Sequence, residues 1–348
     1  MRRRALRLPP ICLLPVLLLS ALPSATRAQP ATAPSVDAAV QRGLEYLAKK
    51  QKPDGSFDAG ENKVAVTGLA VLSFLANGHP PDVGRYGLVV RGGVDFLLAQ
   101  AQPDGYFGKS HGKGMYDQGI VTLALAETLG VETDPARRQK IHAELSKAVK
   151  VILDAQSVQK PDPHAGGWRY DRKSADSDLS LSGWNALALR AARDVGVEVP
   201  KEAVQKAVGF VLKCYNANEK GFSYQPGGGA QIGPTAIAVL SLYLLEGPDR
   251  PEVAEGVKYL AAHPVNDGTP FLYYSMYYVT QAANQAGGTV WPAASKAAFE
   301  RLLARQAKDG PDAGSWPKSA QEPDGPYSTA MAVLTLSVPQ RLLPAYQR

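Results

Sequence analysis

Lys52-Pro53-Asp54-Gly55-Ser56-Phe57 returns fifty residues later as Gln102-Pro103-Asp104-Gly105-Tyr106-Phe107. The turn comes back as Gly166-Gly167-Trp168-Arg169-Tyr170, Lys220-Gly221-Phe222-Ser223-Tyr224 and Gly314-Ser315-Trp316, and in degenerate form as Asp267-Gly268-Thr269-Pro270-Phe271. Pro-Asp-Gly is turn chemistry, because the proline ring fixes φ and the glycine accepts a positive one. A turn repeated along a chain marks stacked supersecondary units that bury a face only by packing on their neighbours. The aromatic residue close behind each glycine has the shape to wedge between adjacent units.

Each turn is preceded by an amphipathic helix pattern. Val40, Leu44 and Leu47 lead into the first, Val94, Leu97 and Leu98 into the second, and Val149, Ile152 and Leu153 into the third. Val208, Val211 and Leu212, then Val257 and Leu260, then Phe299, Leu302 and Leu303 lead into the others. Apolar residues at steps of three and four form a buried helical stripe. Each turn is followed by a second, smaller and more apolar helix. Thr67-Gly68-Leu69, Gln118-Gly119-Ile120, Ser182-Gly183-Trp184, Thr235-Ala236-Ile237 and Thr329-Ala330-Met331 fall into one column, with Ser275-Met276-Tyr277 a loose fifth copy. Small residues there allow close helix approach, as an inner ring requires, and the first helix of each pair then forms the outer ring. Gly78, Gly130, Gly196, Gly247 and Gly287 or Gly288 follow the second helices, where a left-handed C-terminal residue is expected. The pattern predicts an all-α protein of about six tandem helical hairpins over residues 37–340.

Residues 1–28 read as a signal peptide. Arg2, Arg3, Arg4 and Arg7 precede the apolar run Ile11 to Leu19, and Thr26-Arg27-Ala28 offers small residues for cleavage. The run is short for a membrane span, so the mature chain is expected to carry no transmembrane segment. Residues 29–36 form a polar lead. The whole chain has a formal charge of +6, but five arginines leave with the signal. The 33 basic residues that remain against 32 acidic ones give nucleic acid no electrostatic motive. An exported location follows, periplasmic or extracellular. The mature chain keeps one cysteine, Cys214, in an apolar stretch, which fits a buried structural thiol.

The turn Gln51-x-x-x-Gly55-x-Phe57 resembles the Gln-x-x-x-Gly-x-Trp repeat of the terpene cyclase and protein prenyltransferase superfamily, the squalene–hopene cyclase-like proteins among them. Gly166-Gly167-Trp168 and Gly314-Ser315-Trp316 carry the Gly-x-Trp end, with Gln156 and Gln306 upstream at looser spacings. The resemblance covers about residues 36 to 340 and implies an α/α toroid of six inner and six outer helices around a central cavity. Class II cyclases of this superfamily protonate an alkene with a buried aspartic acid in an Asp-x-Asp-Asp motif. Here Asp176-Ser177-Asp178-Leu179 opens the second helix of the third repeat, so Asp178 falls at the proton donor's position and Leu179 replaces the last aspartate. A carboxyl group protonates an alkene only if burial and hydrogen bonds keep it a protonated, strong acid. Acidic residues ahead of a helix also cap its free N–H groups, and capping is the competing expectation for Asp176 and Asp178. The superfamily's zinc-dependent prenyl transfer needs Asp two residues before Cys. Cys214 has Leu212 there, so no metal and no cofactor is expected.

In such a toroid the mouth lies where the inner helices begin. The residues expected to line it are His111, Lys113, Tyr116, Asp117 and Gln118, then Trp168, Tyr170, Asp176 and Asp178, then Tyr224 and Gln231, Tyr273, Tyr274, Tyr277 and Tyr278, and Trp316 and Tyr327. Tyr273 with Tyr277, and Tyr274 with Tyr278, stand one helical turn apart, set either to line a cavity for an apolar or sugar ligand or to pack in a core. Three functions are weighed. The first is a non-catalytic envelope protein that binds an apolar or polyisoprenoid ligand, or another envelope protein. The second is a cyclase-like isomerase with Asp178 as general acid. The third is a secreted carbohydrate-processing toroid using Asp117 with Asp178 as paired carboxylates.

Overall fold

The computed structural model describes residues 34–58, 62–108, 112–323 and 325–347. The signal-peptide reading of residues 1–28 and the expectation for His111 lie outside them. Among the described residues twelve α-helices alternate between two rings. The outer helices are α1 (Pro34–Lys50), α3 (Gly87–Gln100), α5 (Pro135–Ser157), α7 (Lys201–Lys213), α9 (Pro251–Ala262) and α11 (Val290–Arg305). The inner helices are α2 (Lys63–Leu75), α4 (Gly114–Val131), α6 (Leu179–Asp194), α8 (Ile232–Leu245), α10 (Leu272–Ala286) and α12 (Pro326–Ser337). Each inner helix packs on the next, and α12 returns to α2, so the ring is closed. Two residue pairs, Tyr215–Asn216 and Gly221–Phe222, form a minimal antiparallel ladder at the fourth turn.

Burial follows the sequence pattern. In α2 every residue from Val64 to Leu75 is buried, whereas α7 buries only the stripe Ala203, Ala207, Val208, Phe210 and Val211. The inner column packs as small residues against large ones. A methyl group added to Gly68 would stand 2.9 Å from Ile120 Cγ2, and one on Gly183 would stand 2.4 Å from Ile237 Cγ2. Gly119 meets Trp184 in the same way. The glycine of each of these inner helices thus receives the large apolar residue that follows the column's small position in the next, a knob-and-hole contact carried around the ring.

The first residue of that column has its own task. In every turn but the degenerate fifth, the aromatic residue's backbone N–H donates to it: Phe57 to Thr67, Phe107 to Gln118, Trp168 to Ser182, Phe222 to Thr235 and Trp316 to Thr329. The glutamines explain the rest of the motif. Gln51, Gln156 and Gln306 each donate one amide group twice, to the turn glycine's carbonyl and to a carbonyl on the next outer helix. In the second repeat Gln118 takes that place. Trp168 and Trp316 are fully buried, with their indole N–H groups donating to Ile152 and Leu302 carbonyls on the outer helices. The expectation that these two tryptophans line the mouth is therefore corrected: they are the wedges.

Three boundaries and one repeat differ from the sequence reading. Helix α1 begins at Pro34, inside the expected polar lead, since proline is tolerated where the first turn's N–H groups have no partner anyway. Helix α4 runs through Gly130 to Val131 instead of ending there. Beyond residue 340 the chain does not leave the toroid, because Leu343, Ala345 and Tyr346 are buried. In the degenerate fifth turn Phe271 is half exposed at φ 49°, and no aromatic wedge forms there. Most outer helices pack chiefly on the inner helix that precedes them, and α1 closes on α12, the last. Cys214 is buried at the end of α7, and burial pushes its thiol up to about 12, the mark of a structural cysteine.

Candidate functional site

The inner helices run parallel, so their N-termini collect at one end with their unpaired N–H groups and positive dipole ends. Three buried carboxylates answer them. Asp117, on α4, accepts the Ala65 N–H at the start of α2. Asp178 caps its own helix α6 by accepting the Leu181 N–H at 2.9 Å. Glu322, in the loop before α12, accepts the Tyr273 and Tyr274 N–H groups of α10 at 2.9 Å each. Capping, expected for Asp176 and Asp178, is found for Asp178. Asp176 is half exposed and pairs with Arg169 at 3.2 Å.

Asp178 is fully buried, and its second oxygen accepts from Arg169 at 2.8 Å. Burial raises its carboxyl above the usual range, opposed by the Leu181 N–H and the Arg169 guanidinium. The same Arg169 donates to the Tyr224 hydroxyl at 3.0 Å and stacks over the Tyr170 and Tyr224 rings. The Tyr170 and Tyr224 hydroxyls meet at 2.9 Å, and the Tyr116 ring lies 6.1 Å from that of Tyr170. Tyr274 stands beside Trp184 and Tyr278, with ring centroids at 6.4 and 4.8 Å. Burial pushes the phenols of Tyr116, Tyr224, Tyr274 and Tyr327 well above their ordinary value, so all four are neutral hydroxyls near neutral pH. Tyr327 donates to Glu322 at 3.1 Å.

The expected set therefore divides. Tyr170, Tyr224 and Asp178 come together around Arg169, with Tyr116 beside Tyr170 and Tyr274 beside Trp184 and Tyr278, and the partly exposed members form the mouth. Tyr273, Tyr277 and Tyr278 are fully buried: Tyr273 donates to Pro317, Tyr277 to Tyr346, and Tyr278 stacks edge-on with Trp184. Trp184, Tyr277 and Tyr278 pack together in the middle of the ring, whereas Tyr273 turns toward the loop before α12. Gln118 belongs to the turn staple, and Asp117 to the cap of α2. Gln231 precedes α8, with its backbone N–H bound to Phe222. Arg169 and Glu322 are site residues that the sequence reading passed over. Arg169 stands between Trp168 and Tyr170 in a quoted motif, and that adjacency was its signal; Glu322 lies in a loop with no periodic mark.

Residues 32–161 and 156–271 match the model of the prenyltransferase alpha-alpha toroid domain, and the chain belongs to that family. It is 28% identical over 287 residues to the drimenyl diphosphate synthase of Streptomyces showdoensis, covering 79% of this chain and 48% of that protein. The chain thus spans about half the length of the curated relative it matches. Among solved structures it resembles an inactive variant of alpha-1,6-mannanase GH76A of Salegentibacter sp. HEL1_6 in complex with alpha-1,6-mannotriose, at a TM-score of 0.62 and 10% identity over 88% of this chain and 99% of that one. It also resembles the type II terpene cyclase MstE from Scytonema, at a TM-score of 0.57 and 15% identity over 89% of this chain and 99% of that one. At these identities the two structures share the fold. The terpene cyclase-like superfamily suggested by the turns is the one found.

Proposed function

We propose that this chain is an exported, non-catalytic toroid that binds an apolar, polyisoprenoid ligand at its tyrosine-lined mouth. One observation carries the reading: both carboxylate oxygens of Asp178 are engaged, one by the α6 N-terminus and the other by Arg169. The guanidinium and the Leu181 N–H favour the charged carboxylate, a poor acid toward an alkene, and so oppose the upward pull of burial on Asp178. The middle of the ring is packed with Trp184, Tyr277 and Tyr278, which favours the mouth over a deep cavity. Neutral, partly exposed phenols offer apolar faces with a polar edge, a surface suited to a hydrocarbon chain ending in a hydroxyl. No helix among the described residues is long and apolar enough to cross a membrane. Export rests on the leader-like sequence of residues 1–28.

Titration of the purified chain with farnesol, followed by tyrosine and tryptophan fluorescence, is expected to give a saturable change. Tyr170→Ala is expected to weaken it at least tenfold. A response to alpha-1,6-mannotriose with none to farnesol would replace this reading with the carbohydrate one. No response to either would remove the mouth as a ligand site.

A further inference from the structure

At the far end, where the inner helices finish, the toroid holds a second polar constellation. The ring is already closed by α12 on α2 and α1 on α12 before residue 338. The chain then passes through short 3-10 turns at Val338–Gln340 and Pro344–Tyr346, separated by Arg341 at φ 52°. Leu343, Ala345 and Tyr346 point inward and are buried; Pro344 and Gln347 are exposed.

Inner-helix side chains read this segment's backbone. Glu127 of α4 accepts the Ala345 N–H at 2.8 Å. Arg190 of α6 donates to the Ala345 carbonyl at 3.1 Å and the Gln347 carbonyl at 2.7 Å. Gln285 of α10 donates to the Tyr346 carbonyl at 2.6 Å, and the Tyr277 hydroxyl meets that of Tyr346 at 2.7 Å. A small cavity, about 20 Å³, remains beside it among Gln281, Asn284, Gln285 and Tyr346. Glu127 is the acid in the last turns of α4, among Leu123, Ala124, Ala126 and Leu129, and its second oxygen is buried with no hydrogen-bond partner. Such a group is costly in a core that only has to pack. Holding the segment's backbone accounts for the first oxygen, through the Ala345 N–H, and leaves the second open to a further donor.

We propose that the far end of the toroid is a peptide-binding site, and that residues 343–347 fill it in cis as a detachable plug. The ligand class is a peptide that folds into a short 3-10 turn and presents a small residue followed by tyrosine. Its N–H is taken by Glu127, its carbonyls by Arg190 and Gln285, and its phenol by Tyr277. The proposal is independent of the mouth and stands or falls without it.

Hydrogen–deuterium exchange on the full chain tests detachment. The Ala345, Tyr346 and Gln347 amides are expected to exchange at least a hundredfold faster than those of the inner helices, by an opening of their own. A second arm uses full-length Tyr346→Ala and a fluorescein-labelled synthetic peptide of residues 341–347. The variant is expected to keep its helical circular dichroism and to bind the peptide at least tenfold more tightly than the wild type, whose site is filled. Exchange of the segment only together with the inner helices would overturn the proposal. So would loss of helical signal in Tyr346→Ala, which would make the segment core. A folded variant that binds no more peptide than the wild type would overturn it as well.

Discussion

Gly314→Ala is expected to lower stability by about 3–5 kcal/mol, among the largest effects of any single methyl group in this chain. Gly314 sits at φ 92°, where an L side chain is already strained by about 1–2 kcal/mol. The new Cβ would also stand 2.4 Å from the Arg42 carbonyl oxygen and 2.9 Å from its carbon, both backbone atoms of α1. Neither can turn aside as a side chain would. This is the seam where the first outer helix docks on the last turn. Gln306 stitches it, donating to the Ala39 and Gly314 carbonyls and accepting from Arg42. Thermal unfolding should shift down by several degrees, and protease sites in α1 should open first. Gly196→Ala is the control: its φ is 91°, yet nothing lies within 4 Å of its added methyl. It should cost only the strain, about 1–2 kcal/mol. Equal effects from the two would mean that the close approach to α1 contributes nothing.

Arg169→Met is expected to cost about 3 kcal/mol at neutral pH, because it leaves the Asp178 carboxylate buried without its cation. The loss should depend on pH. Burial already raises Asp178, and Arg169 is one of the groups holding it down. Without the guanidinium its folded-state value moves further up. The folded protein then binds a proton that the unfolded chain has released, so stability falls as pH rises from the ordinary carboxylate range through the raised folded value. Denaturant midpoints measured at pH 4.5 and pH 7.5 should therefore show a larger gap from wild type at the higher pH. A gap independent of pH would place the cost in lost packing on Tyr170 and Tyr224 rather than in the ion pair.

The architecture was legible because each repeated residue has a repeated mechanical task. The small polar residue of the inner column accepts the wedge's N–H, the glycine admits the next helix, and the glutamine staples the turn. Even the loose glutamine spacings at Gln156 and Gln306 lead to the same pair of bonds, because a longer turn can still place the amide over the glycine carbonyl. The site was less legible. Trp168 and Trp316 look like platform residues in a sequence, but a side chain that fits a gap between hairpins is buried by that fit. Asp178 was visible, but not that Arg169 would hold it, since the pair forms only when the loop before α6 folds back over that helix's N-terminus. Glu322 and Tyr346 act on α10 at sequence separations that no local pattern encodes.

The central claim is that Asp178 serves the fold and the mouth rather than protonating an alkene. Incubation of the purified chain and of Asp178→Asn with a polyprenyl diphosphate and with the corresponding polyprenol, followed by mass-resolved gas chromatography of the extracts, tests it most directly. The account predicts that both proteins return both compounds uncyclised. A cyclised product formed by the wild-type chain and absent with Asp178→Asn would contradict it.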